Sequence, residues 1–533
     1  MYESWQILIR KFRPASFDYI GVHGAEVAVS SAASMPLTRS DALCLAGVIA
    51  WTVLVLGVTT GGYNSGDDIY YLDGVDGWLH GVPFVGTLHW HMRHFLILAL
   101  SISITLLGRT EAALMAPGIV SFVVVVLVLY FMVRRFADRT AATLASVLAA
   151  ATPVLAIYAK IAYPDIIEVA LTLLSFWLFW RARHNDAVSL LVAGLLLGLC
   201  FTMRASCAAL VLLYGGLSLT GFRIGRLSYC WLWLGAALPV AAELSYFAVM
   251  TGNPLYRLGV DAASLEIPSA HLMGRVAGGL HPPFNWHMMA RWSPNSYIDV
   301  HWALNPVIDL LTNLQHGFLV LIASLAARPL LRRFSARTEQ GQLLRVLGLW
   351  ALLMVFVVLV VLNLRPQPRY FATLTAICAV FAALWLTDLI HRRRLLGAGL
   401  VASILAIDLL SAVARPDPIG TERWLVRYVK SNDSLVWTTK LHAEKAEFLL
   451  AENGLSGRVQ IVGPEGPPSN ALFFTTRQEL RNSRWADAPV VWQRSLADDA
   501  APFVQNFPTL LGAVALPVLE KISPSIVVVA LLR

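Results

Sequence analysis

The chain has 533 residues, of which 57% are hydrophobic and only 14% charged, with a formal net charge of +8 and a mean hydropathy of +0.64. An ordinary soluble domain is about a quarter charged, so this composition excludes a chain built only from such domains and indicates an integral membrane protein with several spans. The excess of Lys and Arg requires no nucleic acid, because cytoplasmic loops of membrane proteins collect the basic residues that set orientation.

In chain order, residues 1–41 are polar to mixed and carry Arg10, Lys11, Arg13 and Arg39. They lack the long apolar core of a cleavable signal peptide and read as a cytoplasmic N-terminal segment. Apolar runs follow at 43–60, 112–133, 141–158, 166–180, 188–203, 205–219, 227–250, 307–326, 343–362, 370–389 and 395–413, which the hydropathy rule converts to about eleven spans. The apolar piece from Phe95 to Leu107 has about thirteen residues and reads as an interfacial or re-entrant helix. The five cysteines, Cys44, Cys200, Cys207, Cys230 and Cys378, all lie in apolar runs and read as small core residues rather than disulfides or metal ligands.

If Phe95–Leu107 does not cross, the N-terminus falls on the same side as the basic loops at 134–139, 181–184, 222–226, 328–337 and 391–394, as the positive-inside rule requires. The opposite, outer side then receives the aspartate-rich loop 61–111 and a short loop with Lys160, Tyr163, Pro164 and Asp165. It also receives Arg204 at a span end, a long loop 251–306 with His271, His281, His287 and His301, the stretch RPQPR at 365–369, and everything after Arg415. That tail has strand-like runs at 435–439, 458–462, 471–476, 490–493 and 526–532 and a helical run at 443–453, the pattern of a small soluble α/β domain. The apolar stretch 510–519 is short and contains Pro517, which argues against a span. The expected layout is a cytoplasmic segment 1–41, a transmembrane catalytic domain 42–413 and an extracytoplasmic α/β domain 414–533.

Three groups of residues can carry chemistry. Asp67 and Asp68 stand in GDDIYY at the outer end of the first apolar run. They suit a solvated acidic turn, a general base or a hard-cation ligand. His89, His91, Arg93 and His94 follow closely, and such a set suits either zinc or a bilayer surface without metal. Lys160, Arg204 and Arg369, with Arg365 nearby, lie at outer ends of runs, against the positive-inside trend. Each alone suits snorkelling to lipid headgroups, and together they suit an anion such as phosphate.

The order of four segments resembles the GT-C superfamily of membrane glycosyltransferases, in the glycosyltransferase family 39-like group. That group includes protein O-mannosyltransferases, aminoarabinose transferases acting on lipid A, and Rgt-type galacturonosyl transferases. The segments are GDDIYY (66–71), HWHMRHFLILALSISITLLGRTEAALMAPG (89–118), AYPDIIEVAL (162–171) and RPQPRYFATLTAICA (365–379), and the likeness covers roughly Ala42 to Val413. It implies a GT-C-like α-helical polytopic fold, with interfacial helices in the first outer loop, ahead of the α/β tail. The implied reaction is inverting transfer of a sugar from a polyprenyl-phosphate donor to an acceptor hydroxyl of envelope glycan, lipid A or protein.

By the resemblance, Asp67 aligns with the base and Asp68 orients it. Lys160, Arg204, Arg369 and Tyr370 would hold the donor phosphate, and Asp165, Tyr163, His89, Arg93 and His94 would form the substrate pocket. The resemblance requires no cofactor and assigns no metal ligand, while leaving a divalent metal open. It also implies a bacterial inner membrane, with site and tail facing the periplasm. The alternative class is a transporter or flippase for lipid-linked sugars, although transporters usually gather polar residues near the midplane, on broken helices.

Overall fold

The computed structural model describes residues 38–81, 84–182, 186–263, 305–362, 367–413, 417–463, 468–495 and 526–532. The chain divides into two compact units, Met1–Leu43 and Cys44–Arg533. In the first, the Thr38 hydroxyl donates to Asp41 Oδ2 at 2.6 Å and accepts from the Asp41 amide at 3.2 Å, a reciprocal cap at the start of helix Arg39–Val58. The histidines of the long loop, Arg365 and the apolar stretch 510–519 lie outside the described residues.

The architecture is polytopic and helical, with a small C-terminal sheet. Six helices among the described residues are long and apolar enough to cross a membrane: Arg39–Val58, Glu111–Arg134, Arg226–Thr251, Glu339–Val361, Pro368–Arg392 and Arg394–Val413. Each overlaps an expected span. Other expected spans are shorter or broken, for local reasons. The run 141–158 divides into Arg139–Ala151 and Pro153–Tyr158, because Pro153 forces Thr152 into an extended conformation (ψ 123°). The run 307–326 becomes Asn305–Thr312, a 3-10 turn Leu314–His316 and Leu319–Arg333. The break falls where Gly317 and Phe318 both adopt positive φ (59° and 57°). Arg204, extended at φ −156° and ψ 135°, separates Ala187–Met203 from the turn Ala205–Cys207 and helix Ala208–Thr220.

Close helix packing depends on small residues. A methyl group added at Gly194 would lie 1.9 Å from the Leu232 carbonyl, and one added at Gly235 would lie 2.1 Å from the Leu191 carbonyl. The backbones of Ala187–Met203 and Tyr229–Thr251 therefore touch only because neither site has a side chain. Pro368–Arg392 is the most enclosed of the six long helices, with 78% of its apolar window buried. Arg369 stands at its first turn, so the most enclosed helix presents a cation at one end.

The C-terminal sheet contains β1 (Val436–Thr438), β2 (Val459–Ile461), β3 (Ala471–Thr476), β4 (Val490–Ser495) and β5 (Ile526–Leu532). All five overlap the strand-like runs. Their order is β2-β1-β3-β5-β4, with β1 parallel to β2 and β3, and β5 antiparallel to β3 and β4. Helix Gly420–Ser431 precedes β1, and helix Lys440–Glu452 is the crossover between β1 and its parallel neighbour β2.

Between these helices and the sheet, buried His442 donates or accepts at both ring nitrogens. Nδ1 lies 2.7 Å from Glu422 Oε1 and Nε2 lies 2.9 Å from Glu479 Oε2. Burial opposes the imidazolium, but the two glutamates outweigh it and raise His442 from 6.5 to about 9. His442 in turn lowers Glu479 from 4.5 to about 2. The stabilisation from His442 is therefore full below pH 6.5 and lost as pH rises through about 9, while that from Glu479 is full above pH 4.5 and lost as pH falls through about 2. Unfolding of this region, followed by hydrogen exchange of the β3 amides, is expected to be most costly between those limits. His442→Gln should remove the alkaline loss and cost about 1.5–3 kcal/mol per charge-assisted bond. Equal protection of the wild type at pH 6 and pH 9.5 would contradict this assignment.

Candidate active site

The loop after the first long helix is shaped for a sharp approach to a carboxylate pair. Gly62 has φ +106° and Ser65 φ +55°, and helix Asp67–His80 then starts with both aspartates in its first turn, where the helix dipole favours negative charge. Asp68 turns back on the loop. Its carboxylate accepts from the Asn64 amide at 2.6 Å and from the Gly66 amide at 2.6 Å. It is fully buried, and burial, only partly offset by these amides, raises it from 3.8 to about 6. Asp67 points elsewhere and stays a quarter exposed, with Oδ2 3.0 Å from Arg369 Nη1.

Around that pair the structure gathers several residues singled out in the sequence. The Arg369 guanidinium lies 5.1 Å from the Tyr163 ring centre and 5.3 Å from that of Tyr370, while Arg204 lies 4.8 Å from Tyr370 on its own account. Tyr163 Oη accepts from the Asp67 amide at 3.2 Å, and burial, then Asp67 and Asp68, push its phenol above the usual range. Buried Arg204 is ion-paired with Asp165 and lies 3.3 Å from Glu168. Ser206 donates to the other Glu168 oxygen at 2.6 Å. Arg204 thus faces two carboxylates, whereas Arg369 has the single carboxylate of Asp67 and the Gln367 side chain as hydrogen-bond partners.

Other sequence candidates lie in different surroundings. Lys160 donates to the carbonyls of Leu56 at 2.9 Å and Thr59 at 2.6 Å, capping the carbonyl end of the first long helix. Burial and then Arg423 lower its pKa. Its ammonium is committed there, and the structure does not join it to Arg204 and Arg369. His94 Nδ1 lies 2.9 Å from Glu243, which also holds Arg257 at 3.0 Å, so His94 belongs to a second ionic network. The His89 ring lies 3.7 Å from that of Trp90 at a tilt, and Trp90 stacks on Tyr70 at 4.1 Å. Burial, then Arg93, lower His89 to about 4, which leaves it neutral at pH 7. Arg93 lies 5.9 Å from the Tyr71 ring centre.

Sequence reasoning missed Glu168 and Glu243. Each had a signal: Glu168 follows Asp165 by three residues on one helix face, and Glu243 is an acid inside an apolar helix. Among the described residues no group of three or more His, Cys, Asp and Glu is placed to hold a metal ion.

In this helical protein with membrane-spanning helices, paired carboxylates, arginines and tyrosines meet at helix ends and form one polar site. A family model described as dolichyl-phosphate-mannose-protein mannosyltransferase matches residues 94–247, the stretch that carries His94, Tyr163, Asp165, Glu168, Arg204 and Glu243. In that stretch the chain is similar to this family of membrane mannosyltransferases. Among solved structures it is similar to ArnT from Cupriavidus metallidurans in the apo state, at 11% identity over 83% of this chain and 93% of that one, TM-score 0.48. The same protein bound to undecaprenyl phosphate is similar at 11% identity over 92% and 97%, TM-score 0.49. The archaeal oligosaccharyltransferase AglB from Archaeoglobus fulgidus, in complex with an inhibitory peptide and a dolichol-phosphate, is similar at 14% identity over 80% and 65%, TM-score 0.45. No curated protein matches the sequence.

The environment of Asp68 sets a testable titration. Because its folded pKa is raised from 3.8 to about 6, the fold favours the protonated carboxyl, and stability from this group rises as pH falls through that interval. Infrared spectroscopy of the full-length protein should show a protonated carboxyl band at pH 5 that fades by pH 7 and is missing in Asp68→Asn. A wild-type spectrum without that pH-dependent band would contradict the burial argument. Removing the Arg204 charge should be severe in another way. Arg204→Met leaves Asp165 and Glu168 buried without a cation and should cost about 3–5 kcal/mol, read as a large fall in melting temperature in detergent; a melting temperature within a degree or two of wild type would contradict it.

Proposed function

We propose that the enzyme transfers a sugar from a polyprenyl phosphate to an acceptor hydroxyl with inversion, and that Asp67 is the general base. The observation that carries this reading is the 3.0 Å pair of Asp67 with Arg369. It sets a partly exposed carboxylate beside a cation whose remaining N–H groups can turn to a phosphate. The acceptor oxygen attacks the anomeric carbon and its proton passes to Asp67. The bond from that carbon to the phosphate oxygen breaks, and the electron pair leaves with the lipid phosphate. A phosphate held by a guanidinium is a good leaving group without a general acid, so one carboxylate suffices, unlike glycoside hydrolysis.

Asp68 holds the turn in this reading, through the Asn64 and Gly66 amides. Arg369 and Tyr370 receive the phosphate. Arg204, facing Asp165 and Glu168, packs against Tyr370, and Lys160 fixes the helix end before the loop. Tyr163, which flanks Arg369, would line the substrate pocket with Asp165, His89 and Arg93, while His94 is held in a separate network by Glu243. The acceptor is a glycan, lipid or protein hydroxyl at the outer face of a bacterial inner membrane. The division into a catalytic helical domain, 42–413, and a periplasmic α/β domain, 414–533, belongs to the same proposal; the basic loops support the orientation.

Asp67→Asn keeps a group able to face Arg369 but removes the base. Transfer should fall by about 10²–10⁴-fold with insertion and yield unchanged. Mass spectrometry of envelope glycans, lipid A and polyprenyl-phosphate sugars from wild-type, deletion and Asp67→Asn cells checks it. A product lighter by one sugar in both mutants, with donor lipid accumulating, supports the reading; wild-type product in Asp67→Asn overturns it.

A further inference from the structure

Between the α/β segment and the acidic loop lies a dense ionic junction that the proposed reaction does not use. Arg423 stands in the first turn of helix Gly420–Ser431. Its guanidinium donates to both oxygens of Glu111, each at 2.6 Å, and through Nε to Asp417 at 2.6 Å. Nη2 also donates to the backbone carbonyls of Tyr63 at 3.0 Å and Gly61 at 3.3 Å. Glu111 completes the grip, since the same oxygen that meets Arg423 Nη2 accepts the Tyr63 amide at 2.8 Å.

Both partners are anchored. Glu111 is the first residue of helix Glu111–Arg134, which Thr110 caps by accepting from the Ala113 amide, and Asp417 accepts from the Ile419 amide at 3.1 Å. Gly62 is the residue that lets the strands of this knot meet. It has φ +106°, and a methyl group there would lie 2.3 Å from Glu111 Oε1, so only glycine fits. Immediately after the gripped Tyr63, the Asn64 amide donates to Asp68, and four residues after Tyr63 comes Asp67. Tyr63 itself stacks on Phe448 of the α/β segment at 4.8 Å.

We propose that Arg423, with Glu111, is a positioning pair that fixes the Gly61–Asn64 backbone and through it the placement of Asp67 and Asp68. The α/β segment is therefore a working part of the catalytic site. A bidentate arginine–carboxylate pair is directional as well as strong, and it sets a backbone whose next residues carry the base. A loop displaced by about 1 Å can reduce turnover by about a hundredfold while leaving donor affinity intact. The inference rests on the reading of Asp67 as base, and its test separates the two.

Full-length wild type, Arg423→Gln, Arg423→Lys and Asp67→Asn are compared in nanodiscs. Hydrogen–deuterium exchange reads the peptide covering 61–68. Release of lipid phosphate from native donor lipid extract reads turnover, and binding of undecaprenyl phosphate alone reads donor affinity. Arg423→Gln should speed exchange across 61–68 without loosening β3, reduce turnover by about 10- to 100-fold and leave undecaprenyl phosphate affinity within twofold. Arg423→Lys, which keeps the charge but not the fork, should recover part of both effects. If Asp67→Asn is inactive while Arg423→Gln exchanges and turns over like wild type, the positioning inference fails and the base reading stands. If Asp67→Asn is active, the base reading fails, whereas selective loosening of 61–68 in Arg423→Gln still reports the clamp. Loosening of the whole sheet in both Arg423 variants, without a selective effect at 61–68, overturns the inference in favour of a purely structural role.

Discussion

The ion pair between Asp67 and Arg369 joins residues 302 positions apart at 3.0 Å, and the surrounding organisation is arranged about it. Arg369 begins the most enclosed of the long helices, so its position is fixed by packing along that helix. Asp67 begins a short helix at the end of a glycine-rich turn, so its position is fixed by backbone hydrogen bonds instead. A rigid cation thus meets a carboxylate whose placement depends on a loop. Tyr163 and Tyr370 both lie close to the guanidinium.

Environment separates carboxylates that the sequence places side by side. Asp68 is buried and accepts two backbone amides, which makes it a fixed part of the turn. Asp67, one residue earlier, is partly exposed and faces a single cation. Adjacent acids with different surroundings take different tasks. The same reasoning separates the cations. Arg204 is matched by two carboxylates and Lys160 by two carbonyls, whereas Arg369 is bound to one carboxylate and keeps donor capacity.

Much of this was legible in the sequence because it follows from local pattern. Apolar run length placed the six long helices, and short strand-like runs in the tail placed all five strands. The position of Arg204 and Arg369 at the ends of apolar runs marked them as a pair, and the family resemblance added Asp67, Tyr163, Asp165 and Tyr370. What escaped was set by pairing rather than pattern. The break at Gly317 and Phe318 depends on positive φ values inside a run that reads as continuous. Lys160 looked like a free cation, since nothing near it in sequence reveals that the carbonyls of Leu56 and Thr59 are its partners. Arg423 carried no signal in the sequence, because its partner Glu111 is 312 residues away.

The most direct test is a cryo-EM structure of the full-length protein with undecaprenyl phosphate bound. Phosphate oxygens are expected within hydrogen-bond distance of Arg369 and near the Tyr370 ring, with the Asp67 carboxylate turned away from Arg369 toward the space an acceptor would occupy. A phosphate bound elsewhere, for example at Lys160, with the Asp67–Arg369 pair intact, would contradict it.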